Sequence, residues 1–126
     1  MAKWLQSLAC LLPERIANPR LFLLQQLPKD SVGVEIGVHL GDFSEQILKI
    51  VQPRQLHLID PWHFEPAATY KKAWYGGKAE GGQAEMDDRH QSVLRRFAAP
   101  IARGQVQVHR GFSTDIGIHF ADAYFD

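Results

Sequence analysis

At 126 residues the chain has the length of one domain, and its 45% hydrophobic and 22% charged content excludes intrinsic disorder. With 14 lysines and arginines against 14 aspartates and glutamates the formal net charge is zero. Nothing in that balance favours nucleic acid or an anionic membrane as partner, and a small-molecule ligand is expected. The single cysteine, Cys10, excludes an intrachain disulfide and a cysteine-rich zinc site and suits a reducing cytoplasm.

The apolar run from Leu8 to Leu12 is shorter than the core of an export signal and stops at Pro13-Glu14-Arg15. No stretch approaches the ~20 apolar residues needed to span a bilayer, so a soluble, cytoplasmic protein is expected. Asn18-Pro19 reads as an N-cap with proline at the first helical position. Leu21, Leu24 and Leu27 then mark one face of a short packing helix that Pro28 ends. Residues 1–29 thus form a helical lead-in to the segment 30–126.

Val32-Gly33-Val34-Glu35-Ile36-Gly37 has the β-branched character of a strand buried on both faces. Beyond Gly41 the period changes: Phe43, Ile47, Ile50 and Val51 fall on one side of a helix. Asp42 and Glu45 form a variant capping box at its start. After Pro53, Gln55 to Asp60 reads as a second strand ended by Pro61. Strand, helix, strand is one parallel crossover unit.

Residues 62–85 hold Trp62, Phe64, Tyr70, Trp74 and Tyr75 among paired glycines, a pattern expected of a mobile excursion or lid with glycine hinges. Met86, His90, Val93, Leu94 and Phe97 recur at helical spacing up to Pro100, and Val106 to Arg110 alternates as a third strand. Gly111 to Asp115 turns into another helical stretch, and Tyr124-Phe125-Asp126 approaches the position of a fourth strand. The expected class is therefore α/β, with three parallel strands and crossover helices.

In open parallel sheets, ligands lie outside the carboxyl ends of the strands. Glu35 followed by Gly37 and Gly41 is an acidic residue before G-x-x-x-G, which is not the G-x-G-x-x-G turn that receives a pyrophosphate. Gly37 permits a tight turn, Gly41 permits a ligand to lie close to the backbone, and the Glu35 carboxylate favours a cation or amine over a phosphate. Asp60 follows near the roughly 20-residue offset at which an acid reaches ribose hydroxyls in dinucleotide folds. Pro61 and Trp62 offer an apolar surface for an adenine. Trp74 is read as a packing residue and kept out of the site. His39 is read as a loop histidine, and the six histidines show no metal-ligand spacing.

The runs Val34-Glu-Ile-Gly-Val-His-Leu-Gly-Asp-Phe-Ser44 and Leu58-Ile-Asp-Pro-Trp62 resemble class I S-adenosylmethionine-dependent methyltransferases. Within them the chain is most similar to the group related to macrocin O-methyltransferases and cephalosporin hydroxylases, which His109-Arg-Gly-Phe-Ser-Thr-Asp115 and Phe120-Ala-Asp-Ala-Tyr-Phe-Asp126 also resemble. The resemblance implies the N-terminal half of a Rossmann-like doubly wound sheet, with residues 30–126 a partial S-adenosylmethionine-binding domain. It implies Glu35, Gly37 and Gly41 near the methionine moiety, Asp60 on the ribose, and Trp62, Phe112 and Ser113 near the adenine. The implied activity is methyl transfer to a small-molecule acceptor, at oxygen; from the histidine spacing no metal is expected in this segment. It further implies a chain stopping short of its fourth strand and acceptor pocket, inactive alone and associating as a homo-oligomer through the open edge of the first strand. Two rival readings stand beside it: the nucleotide-binding part of an NAD(P)-dependent oxidoreductase, and a non-catalytic nucleoside-binding remnant.

Overall fold

The computed structural model describes residues 18–126. Cys10, the Leu8 to Leu12 run and Pro13-Glu14-Arg15 lie outside the described residues. The elements are helix α1 (Pro19–Gln26), strand β1 (Val32–Ile36), helix α2 (Asp42–Ile50), strand β2 (Gln55–Asp60), a 3-10 turn (Ala68–Tyr70), helix α3 (Gly82–Arg96), short helix α4 (Ala98–Ala102), strand β3 (Val106–Arg110) and short helix α5 (Ser113–Gly117). The chain is α/β: the three strands form one all-parallel sheet in the order β1-β2-β3.

Local chemistry accounts for the boundaries. The Asn18 side chain accepts from the Leu21 amide at 3.2 Å and Pro19 opens α1, where its missing N–H costs nothing. Helix α2 starts differently from the expectation. Gly41, at φ 85°, is its N-cap and Asp42 is already helical, with no side-chain cap. Asp42 and Glu45 instead face Arg96 of α3, at 2.6 and 3.0 Å, and so join two helices. Helix α3 ends at Arg96, before Pro100, which lies inside α4 near its start, where a proline removes no intrahelical bond.

Parallel pairing sets Glu35 against Leu58 and Leu58 against Val108, so these side chains share one face of the sheet. That face carries the main core, in which Leu56, Leu58 and Val106 pack with Ile47 and Val51 from α2 and Met86, Val93 and Phe97 from α3 and its end. The opposite face carries His57 and His109, covered by Phe120, Tyr124 and Phe125 with ring centroids 4.9 to 5.8 Å from His57. The outer edge of β1 meets Asp126, whose amide donates to the Val32 carbonyl at 3.0 Å and whose carboxylate accepts from the Val32 amide at 2.7 Å. Among the described residues no helix is long and apolar enough to cross a membrane.

Residues 62–85 form a folded excursion. The Glu65 amide bonds the Tyr75 carbonyl at 2.8 Å, and the Arg89 guanidinium on α3 holds the Trp74 carbonyl at 2.6 Å. A Cβ on Gly76 would lie 2.2 Å from the Tyr70 carbonyl oxygen, and one on Gly77 would lie 2.2 Å from that of Lys71. Gly76 and Gly77 are thus sites of close backbone packing, not the hinges their sequence suggests.

Candidate functional site

The carboxyl ends of the strands open into a cleft of about 670 Å³, within the ~300–1,000 Å³ range of small-molecule sites. Its floor is Ile36, Gly37, Ile59, Asp60 and Pro61. Phe112 and Ser113, which follow β3, close one side, and Tyr70, Trp74 and Tyr75 of the excursion close another. His39, His63 and Glu65 add polar groups, as do the guanidinium-bearing Arg20 and Arg89. Parallel strands end side by side, so the cleft runs from β1 across β2 to β3 without any one loop having to build it.

Asp60 organises the floor. Its Oδ2 accepts from the amides of Val38 and His39, both at 2.9 Å, and its Oδ1 accepts from the Trp62 amide at 2.8 Å. One carboxylate therefore ties the turn after β1 to the turn after β2. Around it the backbone is wound tightly: Gly37 and Gly41 have φ near 86° and 85°, while His39 and Trp62 hold positive φ of 57° and 41° despite carrying side chains. Such conformations cost energy and persist where surrounding bonds enforce them. Here the bonds are those to Asp60, together with the Trp62 Nε1 donation to the His39 carbonyl at 2.9 Å.

The structure brings Gly37, Asp60, Phe112 and Ser113 together on the cleft wall and leaves Glu35, Gly41 and Trp62 behind it. Glu35 is 8% exposed and points into the core face, where the Ser44 hydroxyl of α2 donates to it. Burial pushes its carboxyl up to about 7, against the lowering effects of that hydrogen bond and of Arg20. Ile36, expected to be buried, is 65% exposed and lines the cleft. Strand alternation sends neighbours to opposite faces, and here the acid goes inward.

A Cβ on Gly41 would fall 2.5 Å from Cε2 of Phe97. The close approach read at Gly41 is thus to a core ring. Trp62 is 0% exposed, with its indole against His90 at a centroid distance of 4.7 Å. Trp74, set aside by the sequence reading, is 59% exposed on the cleft wall. The two tryptophans exchange roles because the excursion folds its first residue under and carries its middle over the site. No spacing in the sequence signals that.

His39 also lines the cleft. Its Nε2 is buried and has no hydrogen-bond partner among the described residues. Burial and then the charge of Arg89 lower its pKa, so its imidazole is neutral at neutral pH. Among the described residues no group of three or more metal-ligating side chains converges. Scans of the chain against protein-family models, curated proteins and solved structures find no match.

Proposed function

We propose that the cleft binds S-adenosylmethionine and that the protein is a methyltransferase acting at oxygen on a small molecule in the cytoplasm, its three parallel strands forming part of a Rossmann-like sheet. The observation that carries this reading is the occupied turn after β1. Consecutive amides at Val38 and His39 form the kind of concavity that elsewhere holds a phosphate, and here both donate to the Asp60 carboxylate. A pyrophosphate at that turn would compete with a fixed internal anion and face its charge. The arrangement therefore favours an adenosine ligand without phosphates over a dinucleotide.

The residues present fit such a ligand in part. Asp60 Oδ1 accepts one hydrogen bond, which leaves that oxygen a further lone pair for a ribose hydroxyl. Phe112 presents an exposed ring beside Ser113 for a base. Glu35 does not reach the cleft, and its assigned part is to hold α2 against β1 through Ser44. When bound, S-adenosylmethionine supplies a methyl group on a positively charged sulfur. The chain's own contribution is positioning: the rigid floor fixes the ligand, while Tyr70, Trp74 and Tyr75 exclude water from the space beside it. His39 offers a neutral imidazole at that wall for a hydroxyl proton.

Thermal denaturation tests the reading. Adenosylhomocysteine at 100 times its dissociation constant is expected to stabilise the fold by about 2.7 kcal/mol, and NAD at equal concentration to leave the melting temperature unchanged. A shift with NAD alone would transfer the chain to the nicotinamide-dependent oxidoreductases.

A further inference from the structure

The cleft contains two arginines that differ in how much of their bonding is already committed. Arg89, on α3, donates to the Trp74 carbonyl at 2.6 Å and faces the Glu85 carboxylate at 3.4 Å. Its charge is taken up in holding the excursion. Arg20, on the first turn of α1, makes no hydrogen bond or ion pair among the described residues, although its guanidinium lies over the Phe43 ring, 4.7 Å from the centroid. That stacking fixes the head group without consuming its donors, because a ring face accepts charge and leaves the N–H fork in the guanidinium plane.

Position gives this cation a direction. Arg20 lines the cleft together with Ile36 and Gly37, at the β1 end, while Phe112 and Ser113 stand at the β3 end. Arg20 acts on the buried Glu35 carboxyl through charge alone, and no acid among the described residues forms an ion pair with it. Asp60 is committed to three backbone amides, and Glu35 is committed to Ser44 behind the wall. A planar donor fork stacked on a ring at the edge of the cleft, with no hydrogen bond or ion pair among the described residues, can meet a carboxylate in the two-point geometry that lysine cannot reproduce.

We infer that Arg20 is the anchor for the α-carboxylate of the ligand's amino-acid tail, so that the site selects adenosyl ligands bearing that carboxylate over the same nucleoside thioether without it. The inference rests on the cofactor reading above and adds to it the group that would hold the ligand's tail at the β1 end. It also accounts for a helix that precedes the sheet yet contributes to the cleft.

Titration calorimetry with two probes, adenosylhomocysteine and 5′-methylthioadenosine, tests it on the full chain. The wild-type protein is expected to bind adenosylhomocysteine at least about tenfold more tightly. Arg20→Gln should weaken adenosylhomocysteine by about the same factor and leave methylthioadenosine within about twofold. Arg20→Lys, which keeps the charge and loses the fork, should fall between. Arg20 is exposed, and an unchanged melting curve for each variant confirms that the fold survives. Equal losses for the two probes in Arg20→Gln, or no loss for either, overturns the assignment while leaving the cofactor reading standing. Binding of neither probe to the wild-type chain overturns both.

Discussion

Two regions of the sheet hold comparable sets of aromatic and ionisable side chains and use them in opposite ways. On the covered face, His57 Nδ1 meets His109 Nε2 at 2.9 Å, His57 Nε2 meets the Tyr124 hydroxyl at 3.2 Å, and that hydroxyl donates to the Gln55 amide oxygen at 3.0 Å. Each of those polar atoms has a partner, and Phe120 and Phe125 pack over the ring pair. At the strand ends, Trp74 and Phe112 stand more than half exposed, and among the described residues Arg20 has no acceptor and His39 Nε2 has no partner. Residue type alone does not separate the two sets. What separates a site from a polar core is the combination of unspent donors and uncovered rings, because folding otherwise satisfies buried polar groups and hides large apolar ones.

The largest effect is expected where the cleft borrows the logic of the core. Asp60→Ala leaves the amides of Val38, His39 and Trp62 without their acceptor, and should cost about 3 kcal/mol in denaturant unfolding. Binding of adenosylhomocysteine should disappear with it. Asp60→Asn keeps one carbonyl acceptor and should lose less. A wild-type unfolding midpoint in Asp60→Ala would show that the floor does not depend on this carboxylate. Gly41→Val comes next: a branched side chain at φ 85° must also displace the buried Phe97 ring. A loss of about 2 kcal/mol is expected, read in the same denaturation.

These two positions also mark how far the sequence could be read. The bounds of β2 and β3, the start of α1 and the crossover order are visible in alternation, prolines and period, because those signals are local. The importance of Asp60 and of the G-x-x-x-G turn is visible too, but not their partners. The amides that donate to Asp60 lie in two turns, after β1 and after β2, whose backbone has positive φ at His39 and Trp62, a conformation uncommon for any residue but glycine. Gly41 is read towards a ligand, and its neighbour is Phe97, far away in the chain. Trp62 and Trp74 are indistinguishable as letters, and only the folding of residues 62–85 buries one and exposes the other.

The covered histidines and Glu35, which lies on the core face behind the cleft, should titrate with opposite sign. Burial, and for His57 also the charge of His109, lowers the pKa of both His57 and His109 below 6.5. Their neutral forms are the folded ones, so their contribution is complete above pH 6.5 and is lost as pH falls through the lowered values. Glu35 behaves in reverse. With its value about 7 in the fold against an ordinary 4.5, the folded chain binds a proton that the unfolded chain has released between those limits, and stability falls as pH rises from 4.5 to 7. Glu35→Gln should therefore gain about 1 kcal/mol over wild type at pH 8 and nothing at pH 4. Melting curves at the two pH values check this, and an equal change at both would mean that the carboxyl is not held protonated.

The smallest expected effect on stability is the one that sharpens the comparison most. Phe112 is 51% exposed, caps no helix through its side chain, and touches His63 only edge to face, with centroids 5.8 Å apart. A ring so placed contributes little to folding, since most of its apolar surface already meets water. Phe112→Ala should then change the unfolding free energy by no more than about 0.5 kcal/mol. If the ring is the wall for a base, the same substitution should weaken adenosylhomocysteine by about 1 kcal/mol, or roughly fivefold, the scale of an aromatic stacking contact. The covered face supplies the control. Phe120 packs against His57, Tyr124 and Phe125, so Phe120→Ala should lower stability and leave affinity alone. Calorimetry and denaturation on the two variants give a crossed pattern if exposure marks function. Loss of stability in Phe112→Ala with unaltered affinity would make that ring part of the packing and leave the β3 end of the cleft without a base-binding wall.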